Sequence, residues 1–314
     1  MIKLTLYSAV ASAWLVLGFA APAQAQALAA FVSGHGTDAA GCKSVANPCR
    51  TLQYVHDNVI AAGGSIEILD GAGYGPVTIT KALSIINDGA GVAAVQQVTA
   101  GLNAITINAG ATDAIILKGL QIEGFGVATN GIQFTAGASL GISGSNISGF
   151  TGTGVNFTPS VGSSSTLTVT GSGVFLNGLA DITIAPAAGT GASATLKSCD
   201  VSGAPTGVTS DGTAGPVHTT ISDCVIHNIG AVAVEAKGAV GPVHVMVERT
   251  DMAHVGTALS SDSAVAQIAL NDSTIAHVTT VYAATLGGLL DTFQNNAIFY
   301  ETTLGATPTN TFLQ

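Results

Sequence analysis

Aliphatic positions recur along this chain at a long, nearly fixed interval. From about residue 111 one phrase repeats: an aliphatic residue, two residues, a small residue, one residue, an aliphatic residue. It reads Leu117/Leu120/Ile122, Ile142/Ser145/Ile147, Val169/Ser172/Val174, Leu196/Cys199/Val201, Ile221/Cys224/Ile226, Val247/Thr250/Met252, Leu270/Ser273/Ile275 and Phe293/Asn296/Ile298. Successive last members lie 25, 27, 27, 25, 26, 23 and 23 residues apart. A second aliphatic follows most of them after 7 or 8 residues, at Val155, Ile182, Val208, Val234 and Leu259.

An interval of this length marks a solenoid or array. Segments such as Ser165-Thr166-Leu167-Thr168-Val169-Thr170 alternate with period two and are β-branched, so the unit is built from strands. Gly and Asn break the pattern every few residues, so each strand is short, and one repeat holds three strands and their turns. Stacked in register at about 4.8 Å, such coils make a parallel β-helix whose core exists only between neighbours. A leucine-rich repeat would need a regular Leu/Asn consensus and a β-propeller longer blades with aromatic signatures; both are absent. Residues 66–69, 77–80, 83–86 and 104–107 read as strands of earlier coils, about ten coils in all. Residues 51–62 predict a short helix with Leu52, Val55 and Val59 on one face, ended by Gly63-Gly64. Laid across the first coil, it would cover an open edge that otherwise invites aggregation. The expected fold is all-β: a single-stranded parallel β-helix over 65–314, preceded by an N-terminal segment and capping helix over 26–64.

Composition changes the picture at the N-terminus. Lys3, an apolar stretch over residues 4–20 and small-x-small sites over 21–27 predict a secretory signal peptide, residues 1–25, with cleavage after Ala27 as the alternative. The apolar stretch is short for a membrane span and no stop-transfer pattern follows. The mature chain is expected in the periplasm or outside the cell, without membrane insertion. Over the whole chain only 8% of residues are charged and 40 are glycine, while the mean hydropathy is positive. That balance suits stacked short strands with tight turns rather than a disordered Gly/Ser chain. Without Lys3, seven Lys and Arg face 18 Asp and Glu, a net charge of −11. Such a surface, with two arginines, excludes nucleic acid as a partner and suits anionic lipid poorly. It would also repel a polyuronate unless calcium or a local basic patch intervened. The only tryptophan, Trp14, leaves with the signal.

Cys42 and Cys49 bracket a small loop just before the helix, and in an exported protein they predict a disulfide. A metal site there would need more ligands than His35 and His56 supply.

The stretch Phe31-Val32-Ser33-Gly34-His35-Gly36-Thr37-Asp38, then Cys42, then Pro48-Cys49-Arg50-Thr51-Leu52, is followed by Gly71-Ala72-Gly73-Tyr74-Gly75-Pro76-Val77-Thr78-Ile79-Thr80-Lys81. Together with the coils, these segments resemble the pectin-lyase-like right-handed parallel β-helix proteins, most of all their exported bacterial members. Thr292-Phe293-Gln294-Asn295-Asn296-Ala297-Ile298 resembles those members' last coil. The resemblance spans essentially the whole mature chain and implies a right-handed winding. It implies less about activity, because that fold hosts lyases, hydrolases, esterases and adhesins. Its lyases use calcium-binding carboxylates and a proton-abstracting base, its hydrolases paired carboxylates. Their aspartate and arginine motifs are not recognisable here, so no catalytic residue is carried over.

In-register stacking turns sequence offsets into spatial ladders. Counted from the last aliphatic of each phrase, the inward set is minus five, minus two and zero. Asp223, Arg249 and Asp272 share minus three in successive coils and predict an outward Asp–Arg–Asp ladder at about 5 Å spacing. Asp200 and Asp251 share minus one, two coils apart, with Glu248 and His227 close by in sequence. These seven residues form the candidate ligand or ion site. One reading is structural, an arginine relieving a stack of like charges. The other is a carbohydrate site in which Arg249 neutralises a uronate and Asp223 or Asp272 serves as acid/base or calcium ligand. No resident cofactor is expected, and calcium enters only for a lyase.

His218 and His244 share minus eight, each in Gly-Pro-Val-His, and His254 and His277 share plus two, each in Ala-His-Val. Both pairs should stack on adjacent coils as surface turn residues; a transition-metal site usually needs a third ligand. Cys199 and Cys224, at minus two, should lie inward and adjacent, either as part of a buried small-residue ladder or as a disulfide. Phe125 and Phe150 share plus three and predict core stacks, and no aromatic platform stands out. Gly34-His35-Gly36 resembles a hydrolase triplet but lies outside any coil. The expected function is an exported binding or adhesion-type module that contacts glycans or cell-surface partners along the solenoid faces. A carbohydrate-active enzyme, lyase before hydrolase, and a structural scaffold are the alternatives.

Overall fold

The structure, a computed structural model, describes residues 26–310; the expected signal peptide, residues 1–25, lies outside the described residues. Strands wind as a right-handed parallel β-helix of about nine turns with a single helix. A 12-stranded sheet forms the first face. An 18-stranded sheet forms the second and third faces, which merge where Asp251–Ser261 and Thr274–Ala284 run through the corner unbroken. On the first face Leu117, Ile142, Val169, Leu196, Ile221, Val247 and Leu270 stand in register. On the second, Ile122, Ile147, Val174, Val201, Ile226, Met252, Ile275 and Ile298 do the same. Val155, Ile182, Val208, Val234 and Leu259 align on the third. The last coil departs by one residue: Thr292, not Phe293, faces Leu270 and takes the inward place.

The small residue at minus two has a chemical reason. Its side chain accepts the N–H of the equivalent position one coil earlier: Ser145 Oγ from Leu120, Ser172 Oγ from Ser145, Ser273 Oγ from Thr250 and Asn296 Oδ1 from Ser273, at 2.9–3.2 Å. The same hydroxyls donate back to a carbonyl two residues earlier in their own coil, as Ser145 does to Ser143 and Thr250 to Glu248. The ladder thereby satisfies buried N–H groups that the sharp corner removes from sheet pairing. Cys199 and Cys224 are free thiols within it, the Cys199 N–H reaching Cys224 Sγ at 3.3 Å. Hydrogen bonding to Cys199 and burial push the Cys224 thiol well above the ordinary range.

The corner itself is left-handed. Gly119, Gly144 and Gly171 occupy it in three coils with φ of 71°, 56° and 55°, and Ser198, Asp223, Arg249 and Asp272 follow at 53°, 55°, 45° and 45°. A second left-handed corner, after the second face, holds Leu176, Asn228, His254, His277 and Tyr300. Phe125 belongs to this exposed set, correcting the expected core stack. Its coil carries one more residue before the corner, so it points to solvent at 55% exposure, whereas Phe150 is buried. The phenylalanines that do stack in the core are Phe134 and Phe157, with centroids 4.4 Å apart.

At the N-terminal end the helix is Leu52–Asn58, shorter than 51–62. Ile60–Ile68 is instead a strand of the first sheet, flanked by Ala27–Val32 and Leu83–Ile86. Lys81 Nζ donates to the carbonyls of His56 and Ile60, both at 2.7 Å, and closes the helix where that strand begins. Thr51 caps the other end, its Oγ1 accepting the Tyr54 N–H and donating to Asp38. Leu52, Val55 and Val59 face the core as expected. Cys42 and Cys49 form the expected disulfide. Gly34 and Gly36 are packing residues: a Cβ on Gly36 would lie 2.1 Å from the Cys49 carbonyl oxygen. The Gly34 N–H, Ser33 and Tyr74 hydrogen-bond Asp70 and hold its carboxyl down at about 2.

Candidate functional site

The charged corner is partly as the sequence predicts. Arg249 Nε donates to Asp223 Oδ1 at 2.8 Å, and its second nitrogen reaches Asp223 Oδ2 at 3.3 Å and Glu248 Oε1 at 2.8 Å. The guanidinium holds the Asp223 carboxyl below the usual carboxylate range. Asp272 stands in the same row but forms no ion pair with Arg249 among the described residues; its N–H bonds Asn295 instead. The expected three-member ladder is therefore an Arg249 clasp on two acids, and it is solvent-exposed.

Asp200 and Asp251 flank Val225 on the second face, as their offset requires. Asp200 Oδ1 lies 3.1 Å from His227 Nε2, and Asn228 Nδ2 lies 2.9 Å from His227 Nδ1. An amide nitrogen only donates, so Nδ1 accepts and Nε2–H donates to Asp200. Both ring nitrogens are engaged, which leaves His227 no free lone pair to act as a base. Of the seven predicted residues, five thus fall into two separate groups, the Arg249 clasp at the corner and the Asp200–His227 pair beside it, while Asp251 and Asp272 join neither. The seven do not converge as calcium ligands: both Asp223 oxygens face Arg249, and no three His, Cys, Asp or Glu side chains gather as a metal-holding group among the described residues.

Both histidine pairs stack as the offsets predict. His218 and His244 have centroids 5.3 Å apart, and His254 and His277 4.9 Å. Tyr300 extends the second stack at 4.8 Å, with Phe299 edge-on to it, so an aromatic column does exist at this corner. Its signal was the plus-two position of Tyr300 from Ile298.

The surface that the sequence reading missed is the third face. Its outward row runs Thr78, Thr106, Gln133, Asn156, Thr183, Thr209, Glu235 and Ser260 in continuous register. The first six members of this row are uncharged. Amides cross-link the row at its centre: Asn130 and Asn156 donate to Gln133 Oε1 at 3.1 and 2.7 Å, and Gln133 Nε2 donates to Thr158 at 2.9 Å. Toward the N-terminal end it opens into a cleft of about 530 Å³ lined by Gln53, Tyr74, Thr78, Gln97, Asn103 and Thr106. Gln53, on the helix, accepts the Thr78 N–H at 2.7 Å and fixes that wall. The signal was present: Asn156, Thr183, Thr209, Glu235 and Ser260 each follow a second aliphatic by one residue.

No family model matches the chain, and no curated protein matches it in sequence. Among solved structures it is similar to a rhamnogalacturonan lyase, with a TM-score of 0.54 and 12% identity over 79% of this chain and 74% of that one. It is also similar to pectate lyase Pel9A, with a TM-score of 0.60 and 10% identity over 91% of this chain and 80% of that one. At such identity the likeness establishes the fold, a pectin-lyase-like parallel β-helix. No helix among the described residues is long and apolar enough to cross a membrane.

Proposed function

We propose that this protein is an exported glycan-binding β-helix whose third face is the binding surface. The observation that carries the reading is the uncharged row of amides and hydroxyls leading out of the 530 Å³ cleft. Sugar hydroxyls are donors and acceptors at once, and fixed amides meet both roles in one plane. The row is held in place by its own hydrogen bonds, so binding orders few side chains. With a net charge of −11 in the mature chain, a neutral glycan is the expected ligand rather than a polyuronate. The names of the two structural neighbours, a rhamnogalacturonan lyase and a pectate lyase, favour a glycan of some kind and also support a second reading, a carbohydrate-active enzyme. One experiment separates the two. The chain is incubated with a panel of neutral and acidic polysaccharides, and both retention and products are read. Retention on a neutral glycan without new ends is expected. Unsaturated uronide products would establish a lyase, and new reducing ends without unsaturation a hydrolase. Absence of both retention and products would leave a structural scaffold.

A further inference from the structure

The Gly-Pro-Val-His phrase occurs twice, at residues 215–218 and 241–244, and nothing in glycan binding uses it. The two copies stack tightly: a Cβ on Gly241 would lie 2.4 Å from Pro216 N, so only glycine allows this approach. Their register sets His218 directly beside His244 on the outer side of the first face. Met246 stands two residues beyond His244 on the same strand and therefore on the same side. His218, His244 and Met246 line one shallow cleft of about 260 Å³ with Thr220, Gln267 and Ala269. Of the three methionines in the chain, Met246 is partly exposed whereas Met252 is buried.

The next coils orient one imidazole. Gln267 Nε2 donates to the Asp291 carboxylate. That fixes Oε1 toward His244 Nδ1, 3.2 Å away, so Nδ1 carries the proton and donates. The lone pair of His244 is thereby placed on Nε2. Metal-ligating histidines are oriented in the same manner, by an acceptor that takes the proton of the other ring nitrogen. The His218 ring makes no hydrogen bond among the described residues and is free to turn from its stacked position.

We propose that His218, His244 and Met246 form a Cu(I) site. Two imidazoles alone fall short of a site, and the third donor here is a thioether, which selects a soft ion such as Cu(I) over Zn(II) or calcium. Asp291, behind Gln267, supplies compensating negative charge. Capture of the ion turns His218 about its side-chain torsions so that its ring nitrogen and the His244 Nε2 converge with the Met246 sulfur. The site lies on the first face, apart from the third-face row, and does not depend on glycan binding.

The test titrates Cu(I) anaerobically into the full chain in competition with a chromophoric Cu(I) chelator, with Zn(II) titrated in parallel. One equivalent of Cu(I) is expected. His218→Ala should abolish it while leaving both buried thiols in place, which separates the site from capture by Cys199 and Cys224. Met246→Leu should weaken Cu(I) by roughly tenfold or more and leave Zn(II) unchanged. Gln267→Leu should weaken Cu(I) by about ten- to a hundredfold through loss of the oriented Nε2. These side chains are on the surface, so the variants should keep the wild-type unfolding midpoint. Failure to take up an equivalent, uptake that survives His218→Ala, or uptake lost in His254→Ala instead would overturn the proposal.

Discussion

Asn177 Nδ2 donates to Asp181 Oδ1 at 2.8 Å inside the solenoid, while Oδ2 of the same carboxyl meets no partner. Asp181 is fully buried and lies level with Gly154 and Gly207 in the flanking coils, and a Cβ on Gly154 would come within 2.7 Å of both the Asp181 carbonyl oxygen and Asn177 Nδ2. Burial pushes its pKa up to about 8. In the unfolded chain the group titrates near 3.9, so between those values the folded state keeps a proton that the unfolded state has lost. Stability therefore falls as pH rises from about 4 to about 8, by roughly 4 kcal/mol at pH 7. Asp181→Asn keeps the acceptor and removes the ionisation, but sets an amide N–H where no partner exists, at about 1–3 kcal/mol. The net expectation is a gain of roughly 1–3 kcal/mol at pH 7.5 that vanishes or reverses near pH 4. Urea unfolding at both pH values measures it, and a variant less stable than the parent at both would refute the assignment.

The minus-two ladder gives a second prediction. Ser145→Ala removes the acceptor of the buried Leu120 N–H and should cost about 1–3 kcal/mol. Cys224→Ser keeps both an acceptor and a donor at its place and should change stability by less than about 1 kcal/mol. Thr168→Ala, on the exposed side of a first-face strand, is the control. Equal losses for Ser145→Ala and Thr168→Ala would mean that the ladder contributes nothing beyond strand propensity.

Much of this was legible in the sequence because coil stacking converts spacing into position. Leu196, Cys199 and Val201 predict the neighbours Ile221, Cys224 and Ile226 with no further information, and every such pair from coil 117–122 to coil 270–275 stands in register. What spacing does not encode is the direction of a side chain at a corner. Phe125 and Phe150 share an offset, yet one extra residue before the corner turns Phe125 outward. Likewise Asp272 shares a row with Arg249, but the guanidinium already has Glu248 beside it on its own strand end. The Gln133 row was hidden for another reason: its first six members carry no charge, whereas the few charges of this chain gather at corners such as Asp223–Arg249. Met246 escaped because a methionine in a strand reads as core until its outward neighbours are known.

A third prediction concerns a single left-handed residue. Leu286 has φ of 50° and precedes Gly287 at 83° in a tight turn closed by the Gly288 N–H on the Thr285 carbonyl. Both central residues are left-handed, a turn that favours Asn-Gly. Leu286 is 83% exposed, so it has little packing to offset the strain of a left-handed leucine. Leu286→Asn should therefore stabilise the chain by about 0.5–1 kcal/mol, read as a higher midpoint in thermal or urea unfolding. A lower midpoint would show that the leucine is packed against something in solution.

The last prediction tests the third face directly. Gln133 holds its neighbours in place, accepting from Asn130 and Asn156 and donating to Thr158, so its removal loosens the row at the centre. Gln133→Ala should weaken retention on the bound glycan by roughly tenfold, the worth of one or two neutral hydrogen bonds. Thr183, two coils further along the same row, offers a complementary variant. Thr183→Trp removes little polarity but raises a bulky ring from the strip, and should block a chain lying along it. Asp223→Ala and Arg249→Ala alter the exposed corner, where the two residues satisfy each other, and should leave retention unchanged. Affinity electrophoresis in gels carrying the polysaccharide gives all four values under one condition. If the corner variants lose binding while Gln133→Ala and Thr183→Trp keep it, the binding surface is the charged corner, and the glycan contacts the chain through ions rather than amides.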